Sequence, residues 1–158
     1  MNLKKLIDTL ELQPHPEGGY YKETYRSRQV VATTDGRERA ASTVIYYLLG
    51  ENDKSCFHRI RSDESWFFHQ GSAIEIFLIQ KNNMKIITLG NNISEGEVPH
   101  ALVPADTWFA ARIRNNKNYA LVSCVVAPGF EFSEFELAHR DKLTGEFPHL
   151  QNIIKELT

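Results

Sequence analysis

A histidine, a carboxylate and an indole fall within one short stretch, Cys56 to Gly71, which reads CFHRIRSDESWFFHQG. Cys56 to Ile60 and Glu64 to Gln70 have strand character. Arg61-Ser62-Asp63 between them is a corner in which the Ser and Asp side chains can bond their own backbone. Side chains alternate across a strand, so Cys56, His58 and Ile60 share one face, and Glu64, Trp66 and Phe68 share one face. With both faces turned the same way, His58, Glu64 and Trp66 converge on one cavity. Burial raises a carboxyl pKa and lowers an imidazole pKa, which brings both toward neutrality and suits them to general acid–base work. In that chemistry His58 is the candidate base, Glu64 its partner or acid, and Trp66 a stacking wall for a small ligand. Ile60 and Phe68 are candidate lining residues on the same faces. The same residues leave two plainer readings open: a cavity that binds a small molecule without turnover, and a His–Glu pair that is only a satisfied polar spot in the core.

Further candidates lie elsewhere in the chain. Tyr46 and Tyr47 sit on opposite faces of one strand, so one hydroxyl points inward, and Tyr46 is carried as the candidate. Arg26 is the candidate anion clamp, with Arg112 as the alternative, because Arg59 alternates away from His58. His15, His69, His100, His139 and His149 read as surface or loop residues. Trp108 reads as core or interface.

The elements that must position these groups are short strands. The runs are Tyr20 to Ser27, Thr43 to Leu49, Ser55 to Ile60, Glu64 to Gln70, Ile74 to Gln80, Met84 to Leu89, Ala101 to Val103, Trp108 to Arg112 and Tyr119 to Val126. Turn signals such as Gly50-Glu51-Asn52-Asp53, Asn82-Asn83 and Gly90-Asn91-Asn92 separate them, a pattern that predicts an antiparallel sandwich or barrel. Leu3, Leu6, Ile7 and Leu10 recur at helical spacing ahead of Pro14 and Pro16. Ala138 to Leu143 and the segment from Pro148 predict short C-terminal helices. The 158 residues suit one domain, 1–158, with a real core. Several strands are apolar on both faces, so terminal segments or a second subunit must cover the outside; a homodimer by sheet-to-sheet contact is expected.

Composition excludes several classes. A net charge of −2 and a pI of about 6.3 give no footprint for nucleic acid or an anionic membrane. No window approaches the ~20 apolar residues of a membrane span, and the Met1-Asn2-Leu3-Lys4-Lys5 start does not read as a signal peptide. Two cysteines, Cys56 and Cys124, form neither a CxxC nor a disulfide framework, so a reduced, cytoplasmic setting is expected. There is no phosphate loop, nucleophile elbow or nucleotide fingerprint.

The spacing His58-x5-Glu64-x6-Gly71 resembles the first motif of the cupin superfamily, and Pro104-x-Asp106-x2-Phe109 resembles the second. More narrowly, the chain is similar to the DUF985 or cupin-5 family nearly end to end. The carrying segments are Glu17-Gly18-Gly19-Tyr20-Tyr21 with Glu23-Thr24-Tyr25-Arg26-Ser27, Phe57-His58-Arg59 with Ser62-Asp63-Glu64, Trp66, and His69-x-Gly71. Val103-Pro104-Ala105 with Trp108-x-Ala110-Ala111 follows, then Val126-Ala127-Pro128-Gly129-Phe130 with Phe135-Glu136-Leu137. The resemblance implies an all-β cupin jelly-roll β-barrel with short N- and C-terminal helices, commonly dimeric, similar in fold to sugar-nucleotide epimerases.

Cupin metal sites use three His and one Glu, and carried over by position those slots are His58, Ile60, Glu64 and Phe109. Two of the four cannot donate, so no metal or other cofactor is expected, with His58 and Glu64 as the only weak candidates. The function expected is binding of a small polar, sugar-like metabolite in the barrel by a metal-independent epimerase or isomerase. The alternatives are a non-catalytic small-molecule binder and a metal-dependent cupin enzyme.

Overall fold

A computed structural model describes residues 3–116 and 118–158; Met1 and Asn2, the start of the segment read as no signal peptide, and Lys117 lie outside that description. The chain opens with helix α1 (Leu3–Leu10), then β1 (Gln13–Pro14), β2 (Tyr20–Arg26), the small hairpin β3 (Val30–Ala32) and β4 (Glu38–Ala40), and β5 (Thr43–Leu49). There follow β6 (Lys54–Arg59), β7 (Asp63–Gly71), β8 (Ile74–Gln80), β9 (Asn83–Leu89), β10 (His100–Val103), β11 (Phe109–Ile113) and β12 (Ala120–Ala127). The tail holds β13 (Glu136–Leu137), α2 (Arg140–Glu146) and α3 (Gln151–Glu156). The alternating apolar runs became strands nearly where the periodicity placed them, because each has one face to bury.

Two antiparallel sheets form the walls of a jelly roll. One has six strands in the order β1-β2-β5-β12-β7-β10, the other five in the order β13-β6-β11-β8-β9. The sheets face each other without closing into one continuous hydrogen-bonded cylinder. Between them Trp66, Phe109, Tyr47, Val122, Ile76 and Leu78 form the main core.

The outer faces are covered by the ends of the chain. Leu6 of α1 packs with Leu12 on Leu48 and Leu121, with Tyr46 against the same cluster. Leu143, Ile154 and Leu157 of the tail pack on Phe57, Phe77, Trp108 and Ala110 outside the five-stranded sheet. Trp108 is therefore core, with the Arg59 guanidinium 4.4 Å over its ring. The two-sided apolar strands thus find most of their cover within the chain. Phe67 and Leu102, 39% and 46% exposed, are left on β7 and β10.

Two irregularities matter for the site. On β6, His58 pairs with Phe109 but Ser55 pairs with Ala111, so three steps on β6 match two on β11 and a bulge sits at Cys56–Phe57. The bulge turns Ser55 and His58 to the same interior while Phe57 points outward, which corrects the expectation that Cys56 shares the His58 face. Its freed backbone groups are satisfied from afar: Cys56 N–H donates to Glu17 O, Phe57 N–H to Leu157 O, and Phe57 O accepts Ala138 N–H. On β2 the register shifts between Glu23 and Tyr25, so Arg26 joins the face of Tyr21 and Glu23 rather than that of Tyr20 and Lys22.

The loop that joins β1 to β2 crosses the barrel mouth. His15 N–H donates to Gly19 O and Gly18 N–H to His15 O. Gly18 has φ +112, and a Cβ there would lie 2.1 Å from the Lys54 carbonyl oxygen. Gly18→Ala is expected to lower stability by about 1–3 kcal/mol or more in urea denaturation, whereas Gly145→Ala in α2, where a Cβ meets nothing within 4 Å, is expected to leave stability equal or higher by up to about 1 kcal/mol.

Candidate functional site

A cavity of about 150 Å³ opens at the end of the barrel under that loop. β6 supplies His58, with Ile60 just beyond it; β7 and β12 supply Glu64 and Cys124. The inward face of β5 supplies Thr43, Ile45 and Tyr47, and β2 supplies Tyr21, Glu23 and Arg26. The loop adds His15 and Glu17, and the segment after β12 closes one side with Phe130, Phe132 and Phe135.

His58 is 2% exposed, and its closest charged partner is not Glu64. Its Nδ1 lies 2.7 Å from the Cys56 carbonyl oxygen. A carbonyl has only lone pairs to offer, so Nδ1 carries the proton and the tautomer is set. Nε2 lies 3.0 Å from Glu17 Oε2. An imidazole lone pair and a carboxylate oxygen at that distance repel unless a proton lies between them, so Glu17 and His58 hold one proton as a pair. Burial raises the Glu17 pKa and lowers that of His58 to about 4, and both shifts favour the uncharged forms over an ion pair. Ser55 Oγ donates to Glu17 Oε1 at 2.9 Å, and Tyr47 OH donates to Gly18 O at 2.7 Å, which anchors the carboxyl and its loop.

His15 stands on the other side of Glu17. Its Nδ1 accepts the Glu17 backbone N–H at 3.2 Å and lies 3.5 Å from Glu17 Oε2. Burial lowers its pKa, against the charge of Glu17. Glu64 is a second buried carboxyl. Burial first, and the nearby Glu17 second, push it up to about 8. Its neighbours are the Cys124 thiol, itself held well above its ordinary pKa by burial, and the Trp66 indole, whose Nε1 has no hydrogen-bond partner.

Of the residues singled out from sequence, His58, Ile60, Glu64 and Arg26 line this cavity. Trp66, Phe68 and Phe109 stand behind it: Trp66 and Phe109 are core residues, 1% and 0% exposed, with rings edge-on 6.2 Å apart, and Phe68 packs against them. The expected stacking wall of Trp66 is replaced by Tyr21, Phe132 and Phe135, which surround His15. Tyr47, not Tyr46, faces the interior; Tyr46 lies on the outer face against His69 and α1. Arg112 is on the outside, bound to Glu75 and Glu156. His15, read as a loop residue, has a side chain only 6% exposed. Sequence reasoning missed Glu17 as well. Its one signal was Glu17-Gly18-Gly19-Tyr20-Tyr21 among the segments that carry the family resemblance.

The family's metal cage does not fit. Ile60 and Phe109 offer hydrocarbon, His58 Nε2 faces Glu17, and His15 Nδ1 accepts an amide proton. Among the described residues no three His, Cys, Asp or Glu side chains converge to hold an ion.

A carboxyl raised by folding favours the folded state below its unfolded pKa near 4.5, and that contribution is lost as pH rises through about 8. His58 acts oppositely, its contribution lost as pH falls from 6.5 through about 4. Between pH 6.5 and 8 the Glu64 effect therefore stands clear of the His58 one. Wild type is expected to lose about 2 kcal/mol across that window, at about 1.4 kcal/mol per pH unit for one group, and Glu64→Gln to lose that much less. Urea denaturation at pH 6.5 and 8 checks this; parallel profiles for the two proteins would contradict it.

The family model described as "Cupin superfamily (DUF985)" matches residues 4–138. A hypothetical protein from Leishmania major has a solved structure that superposes with a TM-score of 0.95 at 31% identity, covering 100% of this chain and 99% of that one. A Shewanella oneidensis crystal structure gives 0.92 at 34% identity, covering 100% and 98%. The uncharacterized protein YML079W of Saccharomyces cerevisiae is 29% identical over 84% of this chain and 73% of its own length. With the jelly roll on which these likenesses rest, the chain belongs to the DUF985 family of the cupin superfamily.

Proposed function

We propose that the barrel binds a small polar metabolite and moves a proton on it without a metal, as an isomerase or epimerase does. The observation that carries this reading is the buried Glu17–His58 pair, which holds one proton at the cavity wall with His58 Nδ1 locked by a carbonyl. Once a ligand displaces the Glu17 hydroxyl from Nε2, His58 can take a proton from carbon and return it to a neighbouring carbon, as a one-base isomerase does, while Glu64 faces the ligand from its own strand. His58 is the proposed base, Glu17 the group that sets its proton content, and Glu64 a polar partner for the ligand. Ile60 and Ile45 keep the wall apolar, and Arg26 stands at the mouth.

Self-association through the exposed Phe67 and Leu102 region belongs to the same proposal and is tested by light scattering on the eluted protein. A reduced, cytoplasmic setting suits the two free cysteines. Among the described residues no helix is long and apolar enough to cross a membrane.

The catalytic reading is tested by incubating the protein in D2O with a fractionated metabolite extract and following mass gain. One component is expected to gain a single non-exchangeable deuterium, with His58→Gln slowing the gain by about 10²-fold or more and Glu17→Gln slowing it as well. A component that stabilises the fold but never gains mass would turn the assignment to a binder. Equal exchange in wild type and His58→Gln would remove His58 from the chemistry.

A further inference from the structure

We propose, resting on the pocket reading above, that the ligand class is a small ring-sized molecule bearing a protonated amine and no carboxylate or phosphate, its ammonium seated on Glu64. Three independent features of the cavity point this way.

The first is charge. Of the four carboxyl groups that line the cavity, Glu17 and Glu64 are pushed toward neutrality by burial, while Glu23 and Glu131 face one guanidinium, that of Arg26, with no lysine among the described lining residues. Arg26 is not a free clamp. Nε and Nη2 reach the two oxygens of Glu23 at 2.9 Å each, Nη1 reaches Glu131 at 2.9 Å, and Nη2 also reaches the Phe130 carbonyl at 3.0 Å. These contacts engage four of its N–H groups out of the five a guanidinium carries. Two carboxylates around one guanidinium leave the mouth negative. An incoming carboxylate or phosphate would have to displace Glu23 or Glu131 and then sit among acids.

The second is the ring wall. His15 and Tyr21 meet edge-to-face at 4.5 Å, Phe130 and Phe132 at 4.9 Å, and Phe132 and Phe135 at 6.2 Å. Aromatic faces attract cations and flat apolar groups, the more so where water is excluded. The third is Glu64 itself, 7% exposed, with no cationic side chain among the groups that act on it: its neighbours are the Cys124 thiol, the Trp66 indole and the Glu17 carboxyl. As a neutral acid it tolerates that wall. An ammonium placed against it supplies the missing positive charge, and the carboxyl then gives up its proton: the acid and R–NH3⁺ become carboxylate and R–NH3⁺ in contact, with one H⁺ released to solvent. At about 150 Å³ the cavity is the size that holds one benzene ring.

Benzylamine, benzyl alcohol and benzoate share one ring and differ in charge, so they are the probes. Titration calorimetry of the full chain at pH 7, in two buffers of different ionisation enthalpy, reads affinity and proton release together. Benzylamine is expected to bind at least about 10-fold more tightly than benzyl alcohol, with benzoate weaker still, and to release close to one proton per molecule bound, as a group titrating near 8 requires. Glu64→Gln, a near-isosteric change, is expected to abolish both the release and the preference for the amine. Glu131→Gln, at the exposed mouth and independent of the buried wall, is expected to reduce the preference several-fold. Benzylamine binding no better than the other two, or binding without proton release, overturns the inference. If the benzoate arm wins while His58-dependent deuterium gain persists, the charge assignment alone falls; if binding and exchange are both absent, the acid–base reading falls with it.

Discussion

One proton between Glu17 Oε2 and His58 Nε2 is the constraint around which the site is built. Both heavy atoms present lone pairs, both are buried, and the imidazole cannot rotate to offer its other nitrogen because the Cys56 carbonyl holds it. At 7% and 2% exposure the two groups are poorly solvated, so removing the proton would leave a carboxylate against a lone pair in a low dielectric. The neighbouring contacts serve that arrangement: Ser55 takes the other carboxyl oxygen, Tyr47 ties down the backbone beside it, and Glu17 O accepts the Cys56 amide.

The same groups explain why the barrel tolerates an imperfect strand. A regular β6 would pair fully with β11 and turn Ser55 and His58 to opposite faces. The bulge at Cys56–Phe57 breaks that pairing, and three separate parts of the chain complete it: the β1–β2 loop, the segment before α2 and the end of α3. The termini are therefore more than cover for apolar outer faces. They hold open the irregularity that puts the acid–base pair in one interior, as the second bulge on β2 brings Arg26 to the mouth.

The family's metal slots and this site trade against each other. Where Ile60 and Phe109 stand, two ligand positions are hydrocarbon, and polar function enters from a loop instead of from the strands. Hydrocarbon walls then do two things. They push Glu64 and Glu17 toward their neutral forms, and they keep His58 unprotonated, so a cavity lined with acids holds little formal charge in its floor. Charge collects at the mouth, where Arg26 is shared between Glu23 and Glu131.

Periodicity alone was enough to place the longer strands, the N-terminal helix and the inward face of β7, because each rests on a local rule: alternate residues of a half-buried strand face one side; it left the two faces of β5 undistinguished, and the one carried, that of Tyr46, lies outside. The family followed from motifs spread along the chain. That rule put Glu64, Ile60, Phe109 and Trp66 inside without saying how deep each would lie, so Trp66 and Phe109 went to the core while Glu64 reached the cavity. It misassigned Cys56, since a bulge shifts parity and depends on hydrogen bonds to residues far away in sequence. It had nothing to say about His15 and Glu17, because a loop has no period. The sequence by itself determined which side chains were available and which of them share a face along a regular strand. Only tertiary structure decided which carboxyl meets His58, because that contact is made between a loop and a bulge whose conformations are set by long-range backbone bonds.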